Sequence, residues 1–377
     1  MLLGSFAGSN FGDSIVLHAI AAMSHEAEGG VTLVVPTARP DAVASIPGVE
    51  AIDISMRRVR TYRFLGPAVA RALRGCNAVV TTAGILFDRH LWDPRRNFIS
   101  SAIPLLWWAR TSERLVYGLN VGVTESTTYV GRLALTSALR AHHTIATRDA
   151  DSALVAGACA PNIHVEVRAD MAHALLSNQL SSRSDDGPIG ISLCAYLSSF
   201  DPRTRMQSVL QDTEGFLQDM VRLVEAIRKR TGREVRYVAT SDQDHLLHLQ
   251  IAERTGGDAV SLTTLSLEDA LGTLSSLSLL IASRLHACIC GTSLGVPTLA
   301  LAYERKVASY MQSIGAERWM HSFAAVGNVD MLVNDICNLL EQRASVSWEL
   351  RAATQIRGSL ARATLCELLE RASKVRV

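Results

Sequence analysis

The chain has 377 residues, 48% of them hydrophobic and 19% charged, with a formal net charge of +1. That composition supplies a large core, argues against disorder, and suits two domains of ordinary size. The near-neutral charge and the lack of a long basic run give a nucleic-acid partner no electrostatic footing.

Seven cysteines, Cys76, Cys159, Cys194, Cys288, Cys290, Cys337 and Cys366, lie mostly in apolar segments, as reduced thiols of a cytoplasmic protein do. Cys288 and Cys290 form a C-x-C, but residues two apart on a helix point in different directions, so no metal site is expected. The opening stretch MLLGSFAGSNFGD has no basic region followed by a long apolar one, and so predicts no signal peptide. No run reaches the ~18–20 apolar residues of a membrane span. Ile103–Ala109 (IPLLWWA) reads as a buried helix face, with a membrane-contact face as the alternative.

In chain order, Leu2-Leu3 ends a short strand and Gly4–Gly12 forms a glycine-rich loop. Asp13-Ser14 is placed to cap a helix through Met23. Gly4, Gly8 and Gly12 are spaced G-x-x-x-G-x-x-x-G rather than G-x-G-x-x-G, which argues against a nicotinamide or flavin site. Strands are expected at Val31–Val35, Ala51–Ile54, Ala78–Thr82, Leu115–Leu119, Thr144–Thr147 and Ile163–Val165. Helices are expected at Ala68–Leu73, Asn97–Ala109, Thr128–Ala141 and Ala150–Ala156, and Asp170–Leu176 as loop or short helix. The turn at Gly84 is followed by Arg89, His90, Arg95 and Arg96, which reads as a cleft-facing segment or a solvated loop. Arg148-Asp149 closes the strand Thr144–Thr147, where Arg148 stands ahead of a helix start; alone the two residues read as a surface ion pair or a cap.

Ser177–Gly187 (SNQLSSRSDDG) is polar and aperiodic, and marks an interdomain linker. It divides the chain into residues 1–180 and 181–377. Beyond it, strands are expected at Ile189–Leu193, Val235–Ala239, Leu277–Ala282 and Thr298–Ala302. Helices are expected at Glu214–Thr231, Gln243–Arg254, Leu267–Leu274, Val329–Arg343 and Trp348–Ser373, the last of which is free to cross back onto the first domain. Alternating strands and helices predict an α/β fold of two Rossmann-like domains with parallel sheets. Two such units facing across a cleft make a GT-B-like arrangement.

The most informative stretch is Ser283–Lys306, SRLHACICGTSLGVPTLALAYERK. Arg284 and His286 stand where a buried parallel strand gives way to a helix. Gly295-Val296-Pro297 stops that helix, and Tyr303, Glu304 and Lys306 leave the next strand at its carboxyl end. Ligands of open α/β sheets sit outside the carboxyl ends of the strands, where helix N-termini present N–H groups to anions. One short unit therefore places an Arg, a His and a Lys on a single rim, a seat for a small polyanion.

The segments S-R-L-H, G-V-P-T and A-Y-E-R-K resemble the C-terminal signature of the polysaccharide pyruvyl transferase family. Ser9-Asn10-Phe11-Gly12-Asp13 resembles its G-N-x-G-D opening, and Asn120-Val121-Gly122-Val123 its small-residue turn. The resemblance implies transfer of the pyruvyl group of phosphoenolpyruvate onto sugar hydroxyls as a ketal. It implies no cofactor beyond phosphoenolpyruvate as co-substrate, and donor binding by Arg148, Arg284, His286 and Lys306. A residue titrating near neutrality suits the proton steps, which makes His286 the candidate general acid or an aid to phosphate departure. Asp13 is the candidate base on the acceptor hydroxyl, or a helix cap. Asn10, Gly12, Asp242 and Tyr303 are candidate cleft residues, with His245 beside them by topology.

The acceptor is a saccharide or a lipid-linked oligosaccharide. A cytoplasmic location is expected, with peripheral contact at the inner membrane face left open. Two other readings stay open from sequence: a GT-B glycosyltransferase using a nucleotide sugar, and a non-catalytic anion- or saccharide-binding α/β protein.

Overall fold

A computed structural model of the protein describes residues 1–27, 30–54, 64, 66–82, 98–126, 128–177, 179, 186–195 and 213–375. Gly84, Arg89, His90, Arg95, Arg96 and most of the proposed linker lie outside the described residues. The chain forms two compact units. One contains Met1–Gly8, Asp13–Leu175 and Arg357–Val377, and the other contains Ser9–Gly12 and Leu176–Ile356.

Among the described residues, seven strands belong to the first unit: β1 (Leu2–Leu3), β2 (Leu33–Thr37), β3 (Val49–Asp53), β4 (Ala78–Thr82), β5 (Leu115–Val121), β6 (Thr144–Thr147) and β7 (His164–Val167). They form a five-stranded parallel sheet in the order β1-β4-β5-β6-β7 and a separate parallel pair β2-β3. Every residue of β4 is buried, as a strand covered on both faces by helices must be. The helix Phe98–Thr111 buries Leu105, Leu106 and Ala109 completely, leaves Trp108 half-buried and exposes part of Trp107. The buried-face reading of IPLLWWA therefore holds for Leu105, Leu106 and Ala109, in part for Ile103, and not for Trp107.

Among the described residues, six strands belong to the second unit: β8 (Ile189–Ser192), β9 (Val235–Ala239), β10 (Asp258–Ser261), β11 (Leu279–Ala282), β12 (Thr298–Ala302) and β13 (Met320–Ser322). Their order is β10-β9-β8-β11-β12-β13, all parallel. Counted from β8 this is 3-2-1-4-5-6, the doubly wound Rossmann order, whose switch point falls between β8 and β11. The α/β class and the parallel sheets expected from the alternation are those observed.

Several boundaries differ from expectation. The first helix runs Phe11–Glu26, so Asp13 lies inside its first turn and is not its cap. The side chain of Asn10 takes that place, its Oδ1 accepting from the Gly12 N–H at 2.9 Å. β2 starts at Leu33 because its N–H pairs with Gly48 O and fixes the register with β3. The last helix starts at Arg343 rather than Trp348. The edge strands β10 and β13 and the helix Arg305–Ser313 were not anticipated.

Candidate active site

The carboxyl ends of β8, β9, β11 and β12 converge at the switch point of the second unit. Ser283 ties two of them together. Its N–H donates to Ser192 O at 2.9 Å, and its Oγ accepts from the Cys194 N–H at 2.8 Å. Arg284 follows as the N-cap of the helix Leu285–Ser293, with extended backbone and no side-chain cap. Its guanidinium meets Asp244 as a two-point fork, Nε to Oδ2 at 2.9 Å and Nη2 to Oδ1 at 2.7 Å, and Nη2 also donates to Ser241 Oγ at 3.2 Å. The Asp244 side chain is 1% exposed. It also accepts from the Ala195 N–H at 2.9 Å and from Thr240 Oγ1 at 3.4 Å.

Buried charges persist only when paired and hydrogen-bonded, and both conditions are met here. Burial works against the Arg284 charge, but Cys194 and the Asp244 carboxylate outweigh it and raise the guanidinium above its ordinary range. Below this pair lies His248, fully buried. Its Nε2 accepts from the Leu193 N–H at 2.9 Å, so Nδ1 carries the ring proton. Burial lowers its pKa to about 4.

The segment Ser9–Gly12 completes this rim. Phe11 N–H donates to Thr240 O at 2.9 Å, and Asn10 forms an antiparallel bridge with Ser241. Gly12 then packs closely against the imidazole of His286. A Cβ at Gly12 would stand 2.0 Å from His286 Nδ1 and 2.3 Å from Cγ. The glycine of the N-terminal motif is thus required by a close approach to the histidine of the C-terminal one.

Past β12, burial raises the Tyr303 phenol well above its ordinary range, and Cys194 and Glu304 push it further. Tyr303 therefore stays a neutral hydroxyl, hydrogen-bonded with Cys194. Lys306 Nζ pairs with Glu304 Oε2 at 2.6 Å and lies 5.7 Å from the centre of the Tyr303 ring. Asp242, a sequence candidate, is exposed and accepts from Thr263 Oγ1 at 2.8 Å. His245 is half-buried one turn into the same helix.

Arg148 belongs to the first unit and has its own partners. Its Nε meets Asp149 Oδ2 at 3.3 Å and its Nη1 meets Asp170 Oδ2 at 3.4 Å. Asp149 also caps the helix Ala150–Cys159, its Oδ1 accepting from the Ser152 N–H at 2.7 Å. A Cβ on Gly122 would lie 2.7 Å from the Arg148 guanidinium carbon, which accounts for a small residue in that turn.

Arg284, His286, Lys306, Tyr303, Asn10 and Gly12 thus share the second unit, whereas Arg148 and Asp13 belong to the first. Sequence reasoning missed Asp244, Ser241 and Cys194. The signal for the first two was the S-x-x-D of Ser241–Asp244, which reads as a capping box. Ser241 does cap the helix Asp242–Thr255, but the Asp244 carboxylate turns to Arg284. Burial pushes the Cys288 thiol up to about 12, and the C-x-C is packing. Among the described residues no group of three or more His, Cys, Asp or Glu is arranged to hold a metal ion, and no helix is long and apolar enough to cross a membrane.

A family model described as "Polysaccharide pyruvyl transferase" matches residues 10–305. No curated protein sequence matches the chain. Among solved structures the fold is similar to S. aureus MnaA in its co-structure with UDP, at 8% identity over 100% of this chain and 96% of that one, TM-score 0.65. It is similar to the UDP-GlcNAc 2-epimerase of Neisseria meningitidis bound to UDP-GlcNAc, at 10% identity over 98% of each chain, TM-score 0.65. The UDP-GlcNAc 2-epimerase of Methanocaldococcus jannaschii matches at 10% identity over 87% of this chain and 89% of that one, TM-score 0.60. At such identities the likeness concerns the fold alone, which is of GT-B type.

Proposed function

The chain belongs to the polysaccharide pyruvyl transferase family, and we propose that it transfers the pyruvyl group of phosphoenolpyruvate to two hydroxyls of a saccharide, releasing phosphate. The family match over residues 10–305 carries this reading, because it includes both Gly12 and His286, which meet in the structure. Lys306 stands one residue beyond the matched stretch.

Phosphoenolpyruvate brings a carboxylate and a phosphate, for which a fixed guanidinium and a lysine are suited partners. In this proposal Arg284, oriented by Asp244, and Lys306 receive the donor. Arg148 keeps its donor role on the resemblance alone. The methylene carbon takes a proton, for which His286 is the proposed acid, and the neighbouring carbon is attacked by a sugar hydroxyl. A second hydroxyl then displaces phosphate and closes the ketal. One hydroxyl proton ends in the new methyl group and the other on phosphate, so the reaction balances without a redox partner. Asp13 is the proposed base on the acceptor, and cations facing the phosphate stabilise its departure.

The test is incubation with phosphoenolpyruvate and a panel of diol-bearing saccharides. Phosphate release is measured, together with a product mass increased by one pyruvic acid less one water. Thermal shift with phosphoenolpyruvate on wild type and Lys306→Ala reports binding separately. A shift in wild type that shrinks in the variant, with phosphate release, is the expected result. A shift with a nucleotide sugar and none with phosphoenolpyruvate would overturn the proposal in favour of glycosyl transfer. Donor binding without turnover of any acceptor in the panel would leave a binding protein.

A further inference from the structure

Two neighbouring helices of the first unit carry large apolar side chains that their own packing does not need. The helix Tyr129–Arg140 buries Gly131, Leu135, Ala138 and Leu139 against the core. That face satisfies the helix, yet on the outward side Tyr129 is 75% exposed, Leu133 52% and Val130 41%. Beside them Trp107, 37% exposed, leans from the helix Phe98–Thr111 and donates its indole N–H to Ser137 Oγ at 3.1 Å. Tyr129, Leu133 and Ser137 are successive one-turn neighbours, so the stripe from Tyr129 to Trp107 is continuous over about 12 Å of helix. Scattered exposed apolar residues are ordinary, but a contiguous aromatic and aliphatic stripe marks an interaction site.

The charge around the stripe identifies the partner. Neither helix contains an acidic residue. Arg132 and Arg140 are exposed, and Arg110 reaches across to the carbonyls of Arg140, Ala141 and His142 at 3.1, 3.2 and 2.6 Å. Glu113 and Glu125 stand in the flanking turns, outside both helices. Tryptophan and tyrosine with an apolar body and a polar tip, flanked by arginines, are the side chains that settle at the boundary between headgroups and acyl chains. We propose that this face docks the protein on an anionic lipid bilayer, with Tyr129, Leu133 and Trp107 entering the interface and Arg132 and Arg140 meeting the headgroups. The face lies wholly within one unit, and the proposal does not depend on the reaction catalysed.

Co-sedimentation of the full chain with phosphatidylcholine vesicles, with and without phosphatidylglycerol, tests it. Binding is expected to the anionic vesicles, to weaken with added salt, and to be slight on phosphatidylcholine alone. Each arginine removed from Arg132 and Arg140 should weaken partitioning roughly fivefold. Leu133→Asp and Tyr129→Asp should abolish it without lowering the melting temperature, since both side chains point outward. Vesicle-induced blue-shifted fluorescence should be lost in Trp107→Phe. Failure of wild type to bind anionic vesicles at low salt overturns the proposal, as does binding that survives Leu133→Asp. A dimer in solution that Leu133→Asp dissolves also overturns it, because a second copy would then cover the face.

Discussion

Two arginines at strand ends, one in each unit, are held in different ways. Arg284 gives a two-point fork, at 2.7 and 2.9 Å, to a single fully buried carboxylate that also takes a backbone amide. Arg148 makes single contacts, at 3.3 and 3.4 Å, to two carboxylates, one of which is occupied in capping a helix. A fork fixes the plane of a guanidinium, whereas single longer contacts fix only its position. Arg284 is accordingly built as a rigid part of its unit, and Arg148 as an arginine that can be drawn away by a competing anion.

The largest test of this contrast is removal of the carboxylates. Asp244→Ala leaves the Arg284 charge buried without its fork and should cost about 3–5 kcal/mol of stability in urea denaturation. Asp170→Ala leaves Arg148 its contact to Asp149 and should cost about 1–3 kcal/mol. Equal losses would break the comparison.

The next effect is on pH. Two fully buried histidines, His142 in the first unit and His248 in the second, are held neutral by burial. His142 accepts from Thr81 Oγ1 through Nε2 at 2.8 Å and directs Nδ1 to Ala138 O at 2.9 Å, and burial lowers its pKa to about 4. The unfolded chain takes these protons near pH 6.5 and the folded chain only near pH 4. Stability should therefore be complete above about pH 6.5 and fall progressively as pH drops toward 4, by on the order of 3 kcal/mol per histidine. Urea midpoints across that window should fall less steeply with pH in His142→Asn and in His248→Asn than in wild type, each variant losing about one proton of the linkage.

The smallest effects concern the two glycines. Ala at Gly12 would drive a methyl into His286 as far as its Cβ, 2.7 Å away, which a rotation of the ring alone does not relieve, and should cost about 1–3 kcal/mol by thermal melts. Ala at Gly122 meets only the end of the Arg148 side chain, which swings aside, so stability should change by less than about 1 kcal/mol. Its effect should appear instead as weaker phosphoenolpyruvate binding if Arg148 serves the donor.

The pattern of what sequence revealed follows the same physics. β4, β6, β9 and β12 were legible residue for residue because buried parallel strands are nearly continuous apolar runs. β10 (DAVS) and β13 (MHS) sit at the two edges of their sheet, are short and half-exposed, and carry no such run. Arg284, His286 and Lys306 were legible because strand, turn and helix signals bracket them within one stretch. Asp244 was hidden by a local explanation, the capping box, that accounts for its backbone but not for its carboxylate. The meeting of Gly12 with His286 was beyond local reading, since no short-range pattern relates residues so far apart in the chain.

That meeting also bears on how the protein is made. Asn10, Phe11 and Gly12 leave the ribosome well before Thr240, Ser241 and His286, on which they pack. At ~5–20 residues per second, roughly 15–55 s separate the synthesis of Gly12 from that of His286. Until Thr240 and Ser241 are made, a nascent chain carries Asn10 and Phe11 without these partners, and Gly12 waits longer for His286. Closure of the candidate rim is consequently a late event of biogenesis, and a translation product stalled before Arg284 and His286 holds Asn10, Gly12, Ser241 and Asp244 without the two side chains that they face.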